Sequence, residues 1–113
     1  IVQELFENKA NTIGVCFLTI PEMRGRLRVE IGDDSEIQST CEHYFDELTT
    51  SVAVDRAVAE CVEHIRLSAE KRLPLVDSVI AACARSLDAV LVHKDPHMTA
   101  IPERIVKQHA LPS

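Results

Sequence analysis

The chain has 113 residues, a formal net charge of −6 and 46% hydrophobic side chains, with no Trp and 4% aromatic residues. That is one domain's worth of chain, and its core must be aliphatic. Three Gly and five Pro are too few for an all-β fold with many tight turns, and the negative charge disfavours simple coating of phosphates.

Residues 1–7 carry Val2, Leu5 and Phe6 at helical spacing, and residues 8–11 break the pattern. Residues 12–20, TIGVCFLTI, are continuously apolar and rich in β-formers, which predicts a strand buried on both faces as in a parallel sheet. Pro21 then opens a helix, where its missing N–H costs nothing, with Glu22 in the first turn and Gly32, Asp33 and Asp34 after its end. Residues 35–48 bring Ile37, Cys41, Tyr44, Phe45 and Leu48 onto one helical face. A short strand is expected over 51–54. Asp55 then caps a helix running to about residue 70, whose Val58, Val62, Ile65 and Ala69 form the inward stripe. After a loop at 71–74, a helix is expected over 76–87 with Val79, Ile80, Cys83 and Leu87 apolar. A strand follows at 89–92, then a loop or short turn over 94–102, and an edge strand at 103–106. There is no internal repeat, low-complexity segment or linker.

Charge is unevenly spread. Between Glu30 and Glu60 nine acids face one base, Arg56, whereas Arg24, Arg26 and Arg28 cluster just before and Arg66, Lys71 and Arg72 just after. The acidic block reads as a solvated face, and a nucleic-acid partner would approach elsewhere. Cys16, Cys41, Cys61 and Cys83 form no C-x-x-C pair; Cys16 and Cys83 sit in apolar runs, where a thiol behaves as a small hydrophobe. Neither a disulfide framework nor a zinc site is expected. No signal peptide is visible and no apolar run approaches the ~20 residues of a membrane span, so the chain reads as soluble and cytoplasmic.

Helices alternating with short apolar strands predict an α/β protein: a three-layer α/β/α fold, residues 1–113 as a single domain, around a mainly parallel central sheet. Right-handed crossovers bring strand carboxyl ends to one edge, and ligands bind outside that edge. Glu22 follows one strand and Asp95 another, so topology places both there. Asp77, at the mouth of an apolar helix, is not fixed by that argument. Three acids at chain ends suggest a divalent-metal site. Taken singly each has a bland role: Glu22 and Asp77 complement a helix dipole, and Asp95 before Pro96 suits a turn. His43, His64 and His109 read as inert surface residues.

The segment LPLVDSVIAACARSLDAVLVHKD joins a loop Pro, an Asp, an Ala-rich helix, an apolar strand and a second Asp, with an 18-residue step from Asp77 to Asp95. With a Glu shortly after TIGVCFLTI, it resembles the PIN domain, a family of metal-dependent nucleases that includes the toxins of many toxin–antitoxin pairs. The resemblance spans nearly the whole chain; the C-terminal motif is fairly specific, and Glu22 alone is a weak match. It implies Mg²⁺- or Mn²⁺-dependent hydrolysis of RNA, a PIN-type endoribonuclease in which Glu22, Asp77 and Asp95 are three of four acids holding the metal. An antitoxin protein and homodimerisation are the implied partners. Carboxylates suit this chemistry because Mg²⁺ needs hard oxygen ligands and keeps several waters. Arg24, Arg26 and Lys94, near the acids in sequence, are weaker candidates for phosphate contact. His93 stands where the family often has Thr or Ser, and is a candidate to hold water or simply to stack. His97 stands where relatives carry Asp, Asn or His, as a candidate for substrate or for a second metal.

The family's fourth acid belongs to a V-x-D-[ST]-[SA]-like first strand, and no such run occurs here. The chain begins at Ile1, without Met, about where the family's second helix would stand. An upstream segment is the expected source of that strand, with a strand swapped from a partner subunit as the alternative. The rival reading is a PIN-like interaction module without catalysis. A nucleotide-binding domain is disfavoured because the chain has neither G-x-G-x-x-G nor a Walker pattern.

Overall fold

The computed structural model describes residues 2–112; the expectations for Ile1 and for the Val2 side chain lie outside what is described. The described residues form two compact units, one ending at Val52 and the other starting at Ala53. Both mix helices with short parallel strands, so the α/β class holds.

The first unit runs α1 (Val2–Glu7), β1 (Gly14–Cys16), α2 (Thr19–Glu30), α3 (Asp34–Glu42), a π-helical turn (His43–Leu48) and β2 (Thr50–Val52). The β1 and β2 strands pair in parallel with Val15 opposite Ser51. The apolar run expected as one strand over 12–20 divides: only three residues pair, and Thr19 already begins α2. Pro21 therefore sits third in the helix, where a backbone N–H has no intrahelical partner in any case. Helix α3 is capped by Asp33, whose carboxylate accepts from the Glu36 amide at 3.0 Å. The preceding Gly32 has φ +79°, the left-handed turn that ends α2 and that glycine adopts without a Cβ clash.

Ile37, Cys41 and Phe45, spaced by four, form the buried core of this unit, with Val15, Ile20, Met23, Leu27 and Tyr44 packed against it. Tyr44 meets Phe45 edge-on at 5.0 Å and Phe6 at 6.2 Å between ring centroids. Leu48 was expected on the same stripe but is exposed. The π turn puts extra residues into each turn, so a stripe that tracks α-helical spacing up to Phe45 runs off the core by Leu48. All nine acids of the block from Glu30 to Glu60 are exposed, as a solvated face requires.

The second unit runs α4 (Arg56–Ser68), α5 (Leu75–Ser86), β3 (Leu91–His93), a 3₁₀ turn (Pro96–Ala100) and β4 (Gln108–Ala110). Asp55 caps α4 through the Val58 amide at 2.9 Å, as its sequence position implies. The two helices pack along one another, and α5 also meets the 3₁₀ turn. The α5 face carries Ser78, Ala81 and Ala82, all fully buried; Ser78 Oγ donates back to the Pro74 carbonyl at 2.9 Å, which satisfies its hydroxyl. Val79 and Cys83 are buried as expected, whereas Leu87 lies past the helix end and is exposed. The chain then turns through Asp88, whose φ of 52° is left-handed, and its carboxylate pairs with Lys107 at 2.9 Å.

The last strand lies later than expected. Residues 103–106 form turns in which the Ile105 and Val106 amides both donate to the Pro102 carbonyl, and pairing starts only at Gln108. The β3 and β4 strands are parallel with Val92 opposite His109. Among the described residues β1 pairs only with β2 and β3 only with β4. No helix among them is long and apolar enough to cross a membrane.

Candidate metal centre

Asp77 and Asp95 are brought together in the second unit. Asp77 lies in the first turn of α5, behind Pro74, where a carboxylate faces the positive end of the helix. Asp95 follows β3 and caps the 3₁₀ turn: its Oδ1 accepts from the His97 amide at 2.9 Å. An Asp two residues before a backbone amide makes this local ring, and Pro96 between them fixes φ for the turn. The contact between α5 and the 3₁₀ turn is what carries the two acids to one place.

His97 completes the group. Its Nδ1 stands 2.9 Å from Asp95 Oδ1 and 3.6 Å from Asp77 Oδ2. One ligating atom from each of Asp77, Asp95 and His97 lies within 4.8 Å of the others. Exposure rises outward across the group, at 20% for the Asp77 side chain, 35% for Asp95 and 57% for His97. The site is open to solvent on its histidine side and anchored on its aspartate side. Two carboxylates and an imidazole so close together are a donor set that fits a divalent cation, with further positions left to water or ligand oxygens.

His93, two residues before Asp95, is committed elsewhere. Its ring is buried and its Nε2 lies 2.9 Å from Gln108 Oε1, while Gln108 Nε2 donates to the Ile101 carbonyl at 2.8 Å. It ties β3 to β4 through side chains, and its Nδ1 has no hydrogen-bond partner among the described residues.

The remaining sequence candidates are placed as follows. Glu22 stands in the first turn of α2, in the first unit, with its side chain exposed. Arg24 donates to Gln38 Oε1 at 3.0 Å, and Arg28 pairs with Asp34 at 2.7 Å. Arg26 and Lys94 are exposed. Sequence reasoning offered His97 for substrate or for a second metal; the structure sets its ring against both acids. The signal was there to find: Asp-Pro-His places a ring two residues beyond a turn-capping carboxylate.

No family model matches the chain, and no curated protein sequence does. Among solved structures it is similar to a chain in the crystal structure of VapBC2 from Rickettsia felis bound to a DNA fragment from their promoter. The match has a TM-score of 0.72 at 18% identity and covers 96% of this chain and 80% of that one. At that identity the likeness is one of fold.

Proposed function

We propose that the chain is a PIN-like, metal-dependent ribonuclease domain spanning residues 1–113, of the toxin type, and that Asp77 and Asp95 hold its cation. The observation that carries this is the convergence of Asp77, Asp95 and His97 at the mouth of α5. The fold shared with a VapBC2 chain supports a place in a toxin–antitoxin pair, with an antitoxin protein and a second copy as partners.

A divalent cation such as Mg²⁺ or Mn²⁺ would screen the phosphodiester charge and lower the pKa of an attacking water. The chain's own residues supply the rest. Asp77, the least exposed of the group, fixes the inner side of the site, and the cap at the 3₁₀ turn keeps the Asp95 carboxylate aimed at it. Lys94, next to Asp95 in sequence, is an exposed cation able to reach phosphate. Holding water and phosphate in register accounts for much of the rate such a site can provide.

Cleavage of a generic RNA by the purified chain, with Mg²⁺ or Mn²⁺ added, tests this. Asp77→Asn and Asp95→Asn should each abolish cleavage while circular dichroism stays unchanged. Full activity in either variant would remove that residue from the mechanism. Absence of both cleavage and cation binding in the unaltered chain would favour a non-catalytic interaction module.

A further inference from the structure

We propose that His93 and Gln108 are positioning residues for the candidate centre: together they clasp both ends of the turn that carries Asp95 and His97. Neither belongs to the converging group itself. The inference rests on the metal-centre reading above only in what it says is positioned.

Hydrogen-bond roles come first. Gln108 Nε2 donates to the Ile101 carbonyl at 2.8 Å. A carbonyl can only accept, so the amide nitrogen has to face Ile101, which turns Gln108 Oε1 toward the histidine. That oxygen also only accepts, and it lies 2.9 Å from His93 Nε2. His93 Nε2 must therefore carry a proton, and in the neutral ring Nδ1 carries none. The ring is buried, and Nδ1 has no hydrogen-bond partner among the described residues. A buried nitrogen without a partner is costly, and a hydrocarbon ring of similar shape would avoid that cost. What the imidazole adds in return is the bond at Nε2.

Its place in the chain gives that bond its use. His93 ends β3, and its carbonyl accepts from the Leu111 amide at 2.7 Å, which pins it beside β4. Asp95, two residues on, caps the 3₁₀ turn; Ile101 closes the turn, its amide donating to the Met98 carbonyl at 3.1 Å. The His93–Gln108–Ile101 relay thus joins the strand before the turn to the residue after it, through a side chain of β4. The turn is also anchored from inside: Met98, Ala100 and Ile101 are buried, and the Ala100 carbonyl accepts from the Glu70 amide at 2.8 Å. Asp95 and His97 lie on its more open side, and the bond from the His97 amide to Asp95 Oδ1 fixes the two only to each other. Packing sets how deep the turn sits, and the relay sets how far apart its ends stand. A ligand set works within about 0.5 Å, so a turn free to open at either end would lose the spacing of Asp95 and His97 from Asp77.

The test uses the full chain. ¹⁵N spectra of the imidazoles in mildly alkaline buffer read the His93 ring directly, and the expected result is a protonated Nε2 and a bare Nδ1. Gln108→Leu is of similar bulk and removes both bonds. It should speed hydrogen exchange at the Met98 and Ile101 amides while amides in the middle of α4 exchange as before. It should also weaken Mn²⁺ binding, read by the electron-spin resonance of the free ion, about tenfold. His93→Phe should do the same, and the double variant no more than either alone, because the two side chains act as one relay. A proton on Nδ1 in the unaltered chain would overturn the relay even if no variant folded. Unchanged Mn²⁺ affinity in folded Gln108→Leu, or a loss of protection spread evenly over α4 and the turn, would make the pair structural only and overturn the positioning role. No Mn²⁺ binding by the unaltered chain would overturn the metal-centre reading, and the positioning role with it, whatever the ring shows.

Discussion

Asp95→Asn separates the structural role of this carboxylate from the ligand role proposed for it. In the absence of metal, two negative groups are held with ligating atoms within 4.8 Å of each other. At that spacing Coulomb repulsion is about 1 kcal/mol in a water-like dielectric and about 3 kcal/mol at an effective dielectric of 20. The Asp95 side chain is 35% exposed, so solvent screening puts the working figure near the lower end. Asn keeps the oxygen that accepts from the His97 amide, and as a cap it is about as good as Asp. The substitution therefore removes a repulsion, keeps the turn and leaves the His97 ring facing an amide in place of a carboxylate. In chelator, Asp95→Asn should be as stable as the unaltered protein or more stable by up to about 1 kcal/mol. Added Mn²⁺ should reverse the order: at a hundred times its dissociation constant it stabilises the unaltered chain by about 2.7 kcal/mol, and the variant by much less. Urea denaturation followed by circular dichroism, with and without metal, reads both effects. A variant that loses more than 1 kcal/mol in chelator would show that Asp95 is there for the turn. Equal stabilisation of both proteins by Mn²⁺ would show that the ion binds elsewhere.

Two other expectations concern the fold. Ile65 on α4 has no exposed surface, so Ile65→Ala should cost about 2–5 kcal/mol in urea denaturation; a loss below 1 kcal/mol would mean that the core closes over the gap. Burial among apolar groups raises the pKa of the Tyr44 phenol above its ordinary value. The stability this reflects is fully present below the unfolded pKa of about 10 and is lost as pH rises through the folded value. Tyr44→Phe keeps the ring contacts, so its denaturation midpoint should fall less steeply above pH 10, and identical pH profiles would contradict the argument.

Legibility from sequence follows the range of the interactions concerned. Caps at Asp33 and Asp55 are local, set by a carboxylate and an amide three residues on, and Asp55 was readable directly. The inward stripes of α4 and α5 were readable as periodicity for the same reason. The apolar run over 12–20 misled, because apolar residues serve a strand and a helix start equally, and only the partner strand at Thr50–Val52 fixes where pairing ends. The last strand was misplaced because the turns that precede it depend on Pro102 accepting from two amides at once. At the candidate centre the two aspartates came from a recognised motif. The contact of His97 with Asp77 needed the third dimension: its ring meets Asp95 across two residues but Asp77 only across twenty.

The three small residues on the buried face of α5 also set how forgiving the site can be. Ser78 is the very next residue after Asp77, and Ala81 and Ala82 follow within a turn. A bulkier side chain at any of them has no vacant space to enter and must push the helix outward. That push would tilt the end of the helix bearing Asp77, and a displacement well under an ångström is enough to spoil ligand geometry. Variation is thus penalised twice along this helix, once in folding and once in the placing of the Asp77 carboxylate.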